Sequence, residues 1–355
     1  MENLTRGTPP VRYLPCVVPC KLYFPVEKIR PPYRKPSADG PRLSVCDVEQ
    51  SAWDGASVSA SDGMVLLSPR PTRSEGLRGT EIFLQRLGMQ TQGGCRCAGV
   101  LLDTDAVDPA EFSVWRRAFD GAVLIARADQ TEQIAALRIA GLPFGLLLDA
   151  RAGILPVRRQ LAEQGLQFVW QSAPVFLLAK GCPDGGAALK QAMDGWHVLA
   201  ADVPGAVPGT LLVRRVTYPK ALSSGGALPL RLWLQNVGNT PVYTASQMQL
   251  RLKTPEGCLP ILVRLAPRVW PVGDTVHNEI TQLPGVAPGC YELQCRVWKE
   301  NGCGIIPLGS ENDGDGWLSL GTAVLDDTPR PELYIVWDTY YPDGYYPLED
   351  PKLPG

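Results

Sequence analysis

The pattern of apolar and polar residues along the chain changes near residue 205. Before this point, continuous apolar runs alternate with segments of helical character, whereas after it apolar and polar residues alternate singly between turns containing Pro and Gly. A continuous apolar run is typical of a parallel strand covered on both faces, and single alternation is typical of a half-buried antiparallel strand. The pattern therefore predicts an α/β region followed by an all-β region.

Residues 63–205 predict a parallel sheet with helices between its strands. Helix signals separate the apolar runs; for example, Asp108 is a predicted cap that precedes a Pro at the first helical position. Units of this kind join parallel strands through right-handed crossovers. The predicted strands are Met64–Ser68, Gly99–Asp103, Ala122–Arg127, Phe144–Asp149, Phe168–Ser172 and His197–Asp202.

The short strand–helix repeat favours a (β/α) barrel over an open doubly wound sheet. Because the predicted strands are fewer than the eight of a full barrel, we expect a short or incomplete (β/α) barrel-like domain, or one completed by the N-terminal arm. The arm, residues 1–62, is predicted to be irregular because its many prolines interrupt regular elements. Short strands are possible within the arm at residues 17–18, 21–24 and 43–46.

Residues 210–326 predict an immunoglobulin-like β-sandwich. Leu228, Leu230, Leu232 and Leu234 alternate with polar or turn-compatible residues, and a second alternating run begins after the Pro288-Gly289 turn. Short strands at this spacing, separated by turn signals, are typical of an antiparallel sandwich. Residues 327–355 form an acidic, aromatic tail, whereas the arm is basic. We expect both to dock on the body of the protein near each other.

Composition narrows the function classes. The chain has 355 residues and a net charge of −2, so no overall field favours nucleic acid or an anionic membrane. It shows no secretory signal and no apolar run of membrane-spanning length, which favours a cytoplasmic location and disfavours an adhesion module. With no CxxC pair, two His, no Gly-x-Gly-x-x-Gly and no Walker-type sequence, neither a metal site nor a cofactor is predicted.

Four segments of the second half resemble a known family. They are Leu232-Trp233-Leu234-Gln235-Asn236-Val237-Gly238-Asn239-Thr240-Pro241-Val242-Tyr243, Leu283-Pro284, Pro288-Gly289-Cys290-Tyr291-Glu292-Leu293 and Asp315-Gly316-Trp317-Leu318-Ser319-Leu320-Gly321. Together they resemble an uncharacterised bacterial β-sandwich family that follows (β/α) barrels in glycoside-hydrolase-like proteins. The resemblance implies a carbohydrate-related barrel upstream. The chain departs from such barrels because it lacks the Trp-Gly-Glu-Trp-like stretch that supplies a catalytic carboxylate.

Three acids follow predicted parallel strands directly, and they are the candidate catalytic residues: Asp103, Asp149 and Asp202. Glycoside hydrolysis needs two carboxylates that flank the scissile bond, and such residues lie at the carboxyl ends of barrel strands. Arg127 and Arg151 are expected at similar heights, where they could hold a sugar hydroxyl or lower a carboxylate pKa. The alternative is that these acids accept hydrogen bonds from loop amides or cap helices.

Trp170 is the candidate for stacking on a sugar ring, and core packing is its alternative role. The sequence thus predicts a glycoside-hydrolase-like protein that acts on or binds carbohydrate. A non-catalytic, degenerate barrel with a binding or scaffolding role is the alternative, and enzyme activity is left open. The expected partner is a carbohydrate rather than nucleic acid or a membrane, and the aromatic tail leaves self-association open.

Overall fold

The computed structural model describes residues 26–29, 41–53, 64–92, 97–103, 108–119, 122–299, 305–306, 308 and 315–334. Within these residues the chain forms one parallel sheet, one antiparallel sheet and one sheet that is antiparallel except for a single parallel pair. The parallel sheet precedes most of the strands of the other two in the sequence. The prediction of an α/β region followed by an all-β region is confirmed. Among the described residues, no helix combines the length and the apolar character needed to cross a membrane.

Two strands come from the region predicted to be an irregular arm. Strand β1 (Val26–Ile29) pairs antiparallel with a strand of the all-β half, and β2 (Leu43–Glu49) is the first strand of the parallel sheet. Of the possible short strands of the arm, residues 43–46 lie within β2, and residues 17–18 and 21–24 lie outside the described residues. The arm therefore contributes structure to both halves of the protein.

The parallel sheet has seven strands whose order in space follows their order in the sequence. After β2, its strands are β3 (Met64–Arg70), β4 (Cys97–Leu101), β5 (Leu124–Arg127), β6 (Gly145–Asp149), β7 (Val175–Leu178) and β8 (Val198–Ala201). The helices between them are α1 (Gly76–Gln92), α2 (Pro109–Ala118), α3 (Thr131–Ile139), α4 (Ile154–Glu163) and α5 (Gly186–Gly195). Asp108 caps α2 as predicted, because its carboxylate accepts from the Ala110 amide at 2.8 Å.

One predicted strand is wrong. Residues Phe168–Ser172 do not join the sheet; they contain a 3-10 helix, Val169–Gln171, and the strand lies further on at β7. The side chain of Phe168 is 68% exposed, whereas the uninterrupted apolar run of β7 is buried on both faces. A central parallel strand needs an apolar residue at every position, and the polar residues around Trp170 do not meet this need.

The sheet is curled, and its inner face carries a layer of buried side chains. One buried residue from each strand forms a cluster that is separate from the layer beneath the helices; its members are Leu43, Leu66, Leu101, Ile125, Leu147, Phe176 and Ala200. The first and last strands come together, because Arg42 and Ala201 form a parallel bridge. This curling gives the sheet an inner face and a carboxyl edge toward which all seven strands run.

The all-β half consists of two sheets that share one apolar core. Its strands are β9 (Leu211–Pro219), β10 (Ala221–Ser223), β11 (Ala227–Asn236), β12 (Ser246–Thr254), β13 (Gly257–Ile261), β14 (Gly273–Gln282), β15 (Gly289–Lys299), β16 (Ile305–Ile306) and β17 (Leu318–Asp326). One sheet has the order β1-β9-β11-β14, and the other has the order β10-β17-β15-β12-β13 with β16 beside β15. The four alternating leucines of β11 are fully buried in the shared core, as their spacing predicts.

The two halves contact each other through a small polar cluster. The Trp170 ring stacks on the His197 ring with centroids 3.6 Å apart, and the Tyr243 hydroxyl donates to the Trp170 carbonyl oxygen. His197 Nδ1 lies 2.6 Å from the Asn239 carbonyl oxygen. His197 therefore has a structural role between the sheets, and burial raises the pKa of the Tyr243 hydroxyl because it disfavours the phenolate.

Candidate functional site

The carboxyl edge of the curled sheet brings together four of the predicted site residues. Side chains of a strand alternate between its two faces, so a residue two positions beyond an inner-layer residue also points inward. Leu101, Ile125, Leu147 and Ala200 belong to the inner layer. Two positions further along their respective strands stand Asp103, Arg127, Asp149 and Asp202.

Two charged residues of this edge were missed from the sequence. Asp47 and Arg70 extend the inner-face alternation of β2 and β3, and the Arg70 guanidinium donates to Asp47 Oδ1 from Nη2 at 3.1 Å and from Nε at 3.2 Å. The hydrogen bond to Asp47 raises the pKa of Arg70, and the charge of Asp103 adds to this effect. The alternation of inward and outward residues along β2 and β3 could have identified Asp47 and Arg70. This would have required a prediction that included β2 in the sheet and extended β3 to Arg70.

Asp149 forms an ion pair with Arg151. The Arg151 Nε donates to both carboxylate oxygens, at 2.9 and 3.1 Å, and Nη2 makes a further contact with Oδ2. Hydrogen bonding to Arg151 lowers the pKa of Asp149, and the positive charge of Arg127 lowers it further. The predicted role of both arginines in lowering a carboxylate pKa thus fits their position. A lowered pKa keeps Asp149 ionised, which is unfavourable for a general acid.

Asp202 accepts hydrogen bonds from the loop that follows β7. Its Oδ1 accepts from the Ala179 amide at 2.7 Å and from the Lys180 amide at 3.1 Å. The charge of Asp202 contributes to the raised pKa of Arg151, which indicates that the two groups are near each other across the edge. For Asp202, the alternative interpretation from the sequence, an acid that binds loop amides, describes the contacts observed.

Asp103 lies where β4 meets α3. Its backbone carbonyl accepts from Gln133 Nε2 at 2.7 Å, and Gln133 is a buried residue of α3. This contact ties the end of β4 to the helix that follows β5 and positions the Asp103 carboxylate at the inner edge. Asp103 therefore stands between Arg70 on one side and β5 with Arg127 on the other.

Trp170 does not lie with the acids. It precedes β7 and therefore lies at the amino edge of the parallel sheet, whereas the acids follow their strands and lie at the carboxyl edge. Its ring stacks on His197 at the contact with the all-β half. The core-packing alternative fits this position, and a sugar bound by the acids could not also stack on Trp170.

Within the described residues, the edge offers both hydrogen-bond donors and acceptors. Its arginines are donors and its carboxylates are acceptors, and the two types alternate from β2 to β6, whereas β7 has Leu178 at the corresponding position and β8 has Asp202. Among the described residues, no group of three or more His, Cys, Asp or Glu is placed to hold a metal ion. The two histidines of the described region are engaged elsewhere: His197 bonds to Asn239, and His277 Nε2 lies 2.8 Å from Glu279 Oε2. The arrangement thus suits recognition of a polar ligand.

We expect the Asp149–Arg151 pair to make stability depend on pH. Because the folded pKa of Asp149 is lowered, its contribution is present above the unfolded pKa of about 3.9 and is lost as the pH falls through the folded value. The pair is partly exposed, so Asp149→Asn should cost less than about 1 kcal/mol at pH 7 and a smaller amount near pH 2. Urea unfolding of both proteins at the two pH values measures this, and Arg151→Gln should remove most of the difference. An equal cost of Asp149→Asn at both pH values would contradict the assignment.

Comparison with known proteins does not identify the chain. No protein-family model matches it, and no curated protein matches it. Among solved structures it is similar to the CARDB domain of the PF1109 protein from Pyrococcus furiosus, with 12% identity over 34% of this chain and 94% of that one, at a TM-score of 0.22. It is also similar to a β-glucosidase from Listeria innocua, with 10% identity over 84% of this chain and 48% of that one, at a TM-score of 0.25.

A third similar structure is the alkylpurine DNA glycosylase AlkC from Pseudomonas fluorescens. It has 12% identity over 71% of this chain and 54% of that one, at a TM-score of 0.20. The chain thus spans about half the length of this glycosylase and of the β-glucosidase, which it covers to 54% and 48% respectively. At these TM-scores the similarities carry no weight for fold or function, so the function has to be argued from the residues of the carboxyl edge.

Proposed function

We propose that this is a glycoside-hydrolase-like protein whose carboxyl edge binds a carbohydrate without cleaving it. In this proposal the curled sheet is a seven-stranded (β/α) barrel, and the all-β half is an immunoglobulin-like sandwich that supports it. The observation that carries the proposal is the alternation of acids and arginines from β2 to β6 along the inner edge, to which β8 adds Asp202. Asp47, Asp149 and Asp202 are each held by hydrogen bonds.

A carbohydrate suits this edge because of its chemistry. Neighbouring sugar hydroxyls present donors and acceptors a few ångströms apart, and a carboxylate beside a guanidinium offers the matching acceptor and donors. The Asp149–Arg151 pair and Arg127 provide such a set on adjacent strands. The resemblance of the all-β segments to a family that follows carbohydrate-related barrels supports the same ligand class.

Binding without cleavage is favoured because Arg151 holds Asp149 ionised and backbone amides occupy Asp202. A glycosidase needs one carboxyl group that is protonated near neutral pH, which requires a raised pKa. The pKa of Asp149 is instead lowered by Arg151, and Asp202 is occupied by two backbone amides. The absence of the Trp-Gly-Glu-Trp-like stretch from the sequence agrees with this difference from the hydrolases.

Binding is tested first with the full chain on an immobilised array of oligosaccharides, followed by calorimetry with the best-bound glycan. We expect Arg127→Gln and Asp149→Asn each to weaken binding roughly tenfold or more, because each removes a hydrogen bond to a charged group. Glu81→Gln is the matched control, since Glu81 forms an exposed ion pair with Arg117 on the helical surface. This control should leave the affinity unchanged.

Cleavage is tested with a panel of nitrophenyl glycosides. We expect no release of nitrophenolate by the full chain above the level of the Asp149→Asn and Asp202→Asn variants. Release that these variants abolish would replace the proposal with hydrolysis. A chain that binds no glycan and cleaves none would reject the carbohydrate site and leave the scaffolding alternative.

A further inference from the structure

The sheet β1-β9-β11-β14 has an outer face that carries buried arginines. In β11 the alternating leucines face the sandwich core, so Arg231 and Trp233 between them face outward. Cross-strand pairing places Thr217 beside Arg231 and Arg215 beside Trp233. On the face away from the core, the Arg215 guanidinium lies over the Trp233 ring, whose indole nitrogen donates to Asp274 Oδ1 at 2.9 Å. Arg231 Nε donates to Asn278 Oδ1 at 2.7 Å.

These outward residues are not exposed. Arg215 is 6% exposed and Arg231 is 4% exposed, although a lone sheet face in water would leave both open. Arginine is almost never fully buried unless it is paired, because burying an unpaired charge is costly. The Arg215 guanidinium lies 5.7 Å from the Trp233 ring, and its Nε has no hydrogen-bond partner. The burial of Arg215 therefore calls for a covering layer that brings negative charge to this part of the face.

The chain reaches this sheet shortly before its acidic tail. The 3-10 helix Pro331–Tyr334 lies against β11, the strand that carries Arg231 and Trp233, and Leu333 is buried in the core of the all-β half. Residues 335–355 continue from this point. In an extended form they reach up to about 70 Å, several times the roughly 20 Å width of a four-stranded sheet.

Charge distinguishes the tail from the N-terminal arm as the cover. Beyond residue 334 the tail contains four acids and one base: Asp338, Asp343, Glu349, Asp350 and Lys352. The arm is rich in bases, namely Arg6, Arg12, Lys21, Lys28, Arg30, Arg34, Lys35 and Arg42. An acidic segment is attracted to buried guanidinium groups, whereas a basic one is repelled.

We propose that residues 335–355 dock in cis on the outer face of the sheet β1-β9-β11-β14, with tail carboxylates paired to Arg215 and its neighbours. The aromatic residues of the tail, Trp337, Tyr340, Tyr341, Tyr345 and Tyr346, supply apolar area beside Trp233. The tail is then an intramolecular ligand of the all-β half and is not available as a contact surface for other molecules. This inference is independent of the carbohydrate site, which lies on the other half of the protein.

The test is labelling of arginines by phenylglyoxal on the full chain, read residue by residue by mass spectrometry. The tail variant carries Asp338→Asn, Asp343→Asn, Glu349→Gln and Asp350→Asn; the matched control carries Arg6→Gln and Arg12→Gln in the arm. We expect Arg215 to be labelled about tenfold faster in the tail variant and at the wild-type rate in the control. Arg116, which is exposed on α2, serves as the internal reference in each protein.

A synthetic peptide of residues 335–355 provides a second readout. We expect it to bind the tail variant, to bind the wild type at least about tenfold more weakly because the site is occupied, and to lose affinity when its own four acids are replaced by amides. Unchanged Arg215 labelling in the tail variant, or equal peptide binding by both proteins, would overturn the proposal. A wild type that is a dimer by light scattering, and a monomer when the tail is neutralised, would overturn it in favour of a tail exchanged between two copies.

Discussion

Replacement of Phe176 by Ala is expected to destabilise the parallel sheet by about 3–5 kcal/mol, the largest effect of any single substitution considered. Phe176 is fully buried on the inner face of β7, where it packs in the layer to which every strand contributes one side chain. Removing the ring leaves a cavity that the surrounding strands cannot fill without shifting their register. Urea unfolding followed by far-UV circular dichroism measures the loss.

Phe168→Ala is the matched control for this experiment. The same side chain is deleted eight positions earlier in the chain, but Phe168 is 68% exposed. We expect a change within about 0.5 kcal/mol. A larger cost for Phe168→Ala than for Phe176→Ala would mean that the strand between β6 and β8 lies at Phe168–Ser172 after all.

The second largest effect is expected for Gly238→Ala. A Cβ built on Gly238 would lie 2.0 Å from the Pro208 carbonyl oxygen and 2.5 Å from the Gly209 Cα, both of which are backbone atoms. The segment cannot move aside easily, because the buried Asn236 side chain accepts from the Thr210 and Gly238 amides at 3.0 and 3.1 Å. Overpacking against backbone costs about 1–3 kcal/mol and occasionally more.

Gly285→Ala offers a control in the same half of the protein. A Cβ at Gly285 would meet no atom within 4 Å, so the added methyl group should be neutral or slightly stabilising. Thermal unfolding of the two variants compares them directly. Equal melting temperatures would show that the close approach of residue 238 to the connection at residues 208–209 does not limit stability.

The sequence predicts the strands of this protein best where one physical requirement decides the pattern. The leucines of β11 alternate with other residues because only one face of the strand is buried in the core. The apolar runs of β3, β4, β5, β6 and β8 are continuous because both faces of these strands are covered. The error at Phe168–Ser172 arose because three apolar residues in a row carried more weight than the polar Gln171 and Ser172 that follow them. The contacts of Trp170 with Tyr243 and His197, which fix this segment in place, could not be read from the sequence.

The residues of the candidate site were also predictable only where a single physical requirement decides their position. Asp103, Arg127, Asp149 and Asp202 reach one edge because parallel strands all end there, and this could be predicted from strand ends alone. The pairing of Asp149 with Arg151 and the binding of Asp202 to the Ala179 amide depend on loop geometry, which the sequence pattern does not determine. Asp47 was missed because β2 lies among prolines that suggested an irregular arm.

The placement of β1 has a consequence for any attempt to split the protein into independent parts. A fragment that begins after residue 205 would lack β1 and would leave the backbone donors and acceptors of β9 unpaired at a sheet edge, which favours aggregation. A fragment that ends there would carry β1 with no strand to join. The two pieces are thus expected to complement each other when co-expressed, much as a donated strand completes an unfinished sheet.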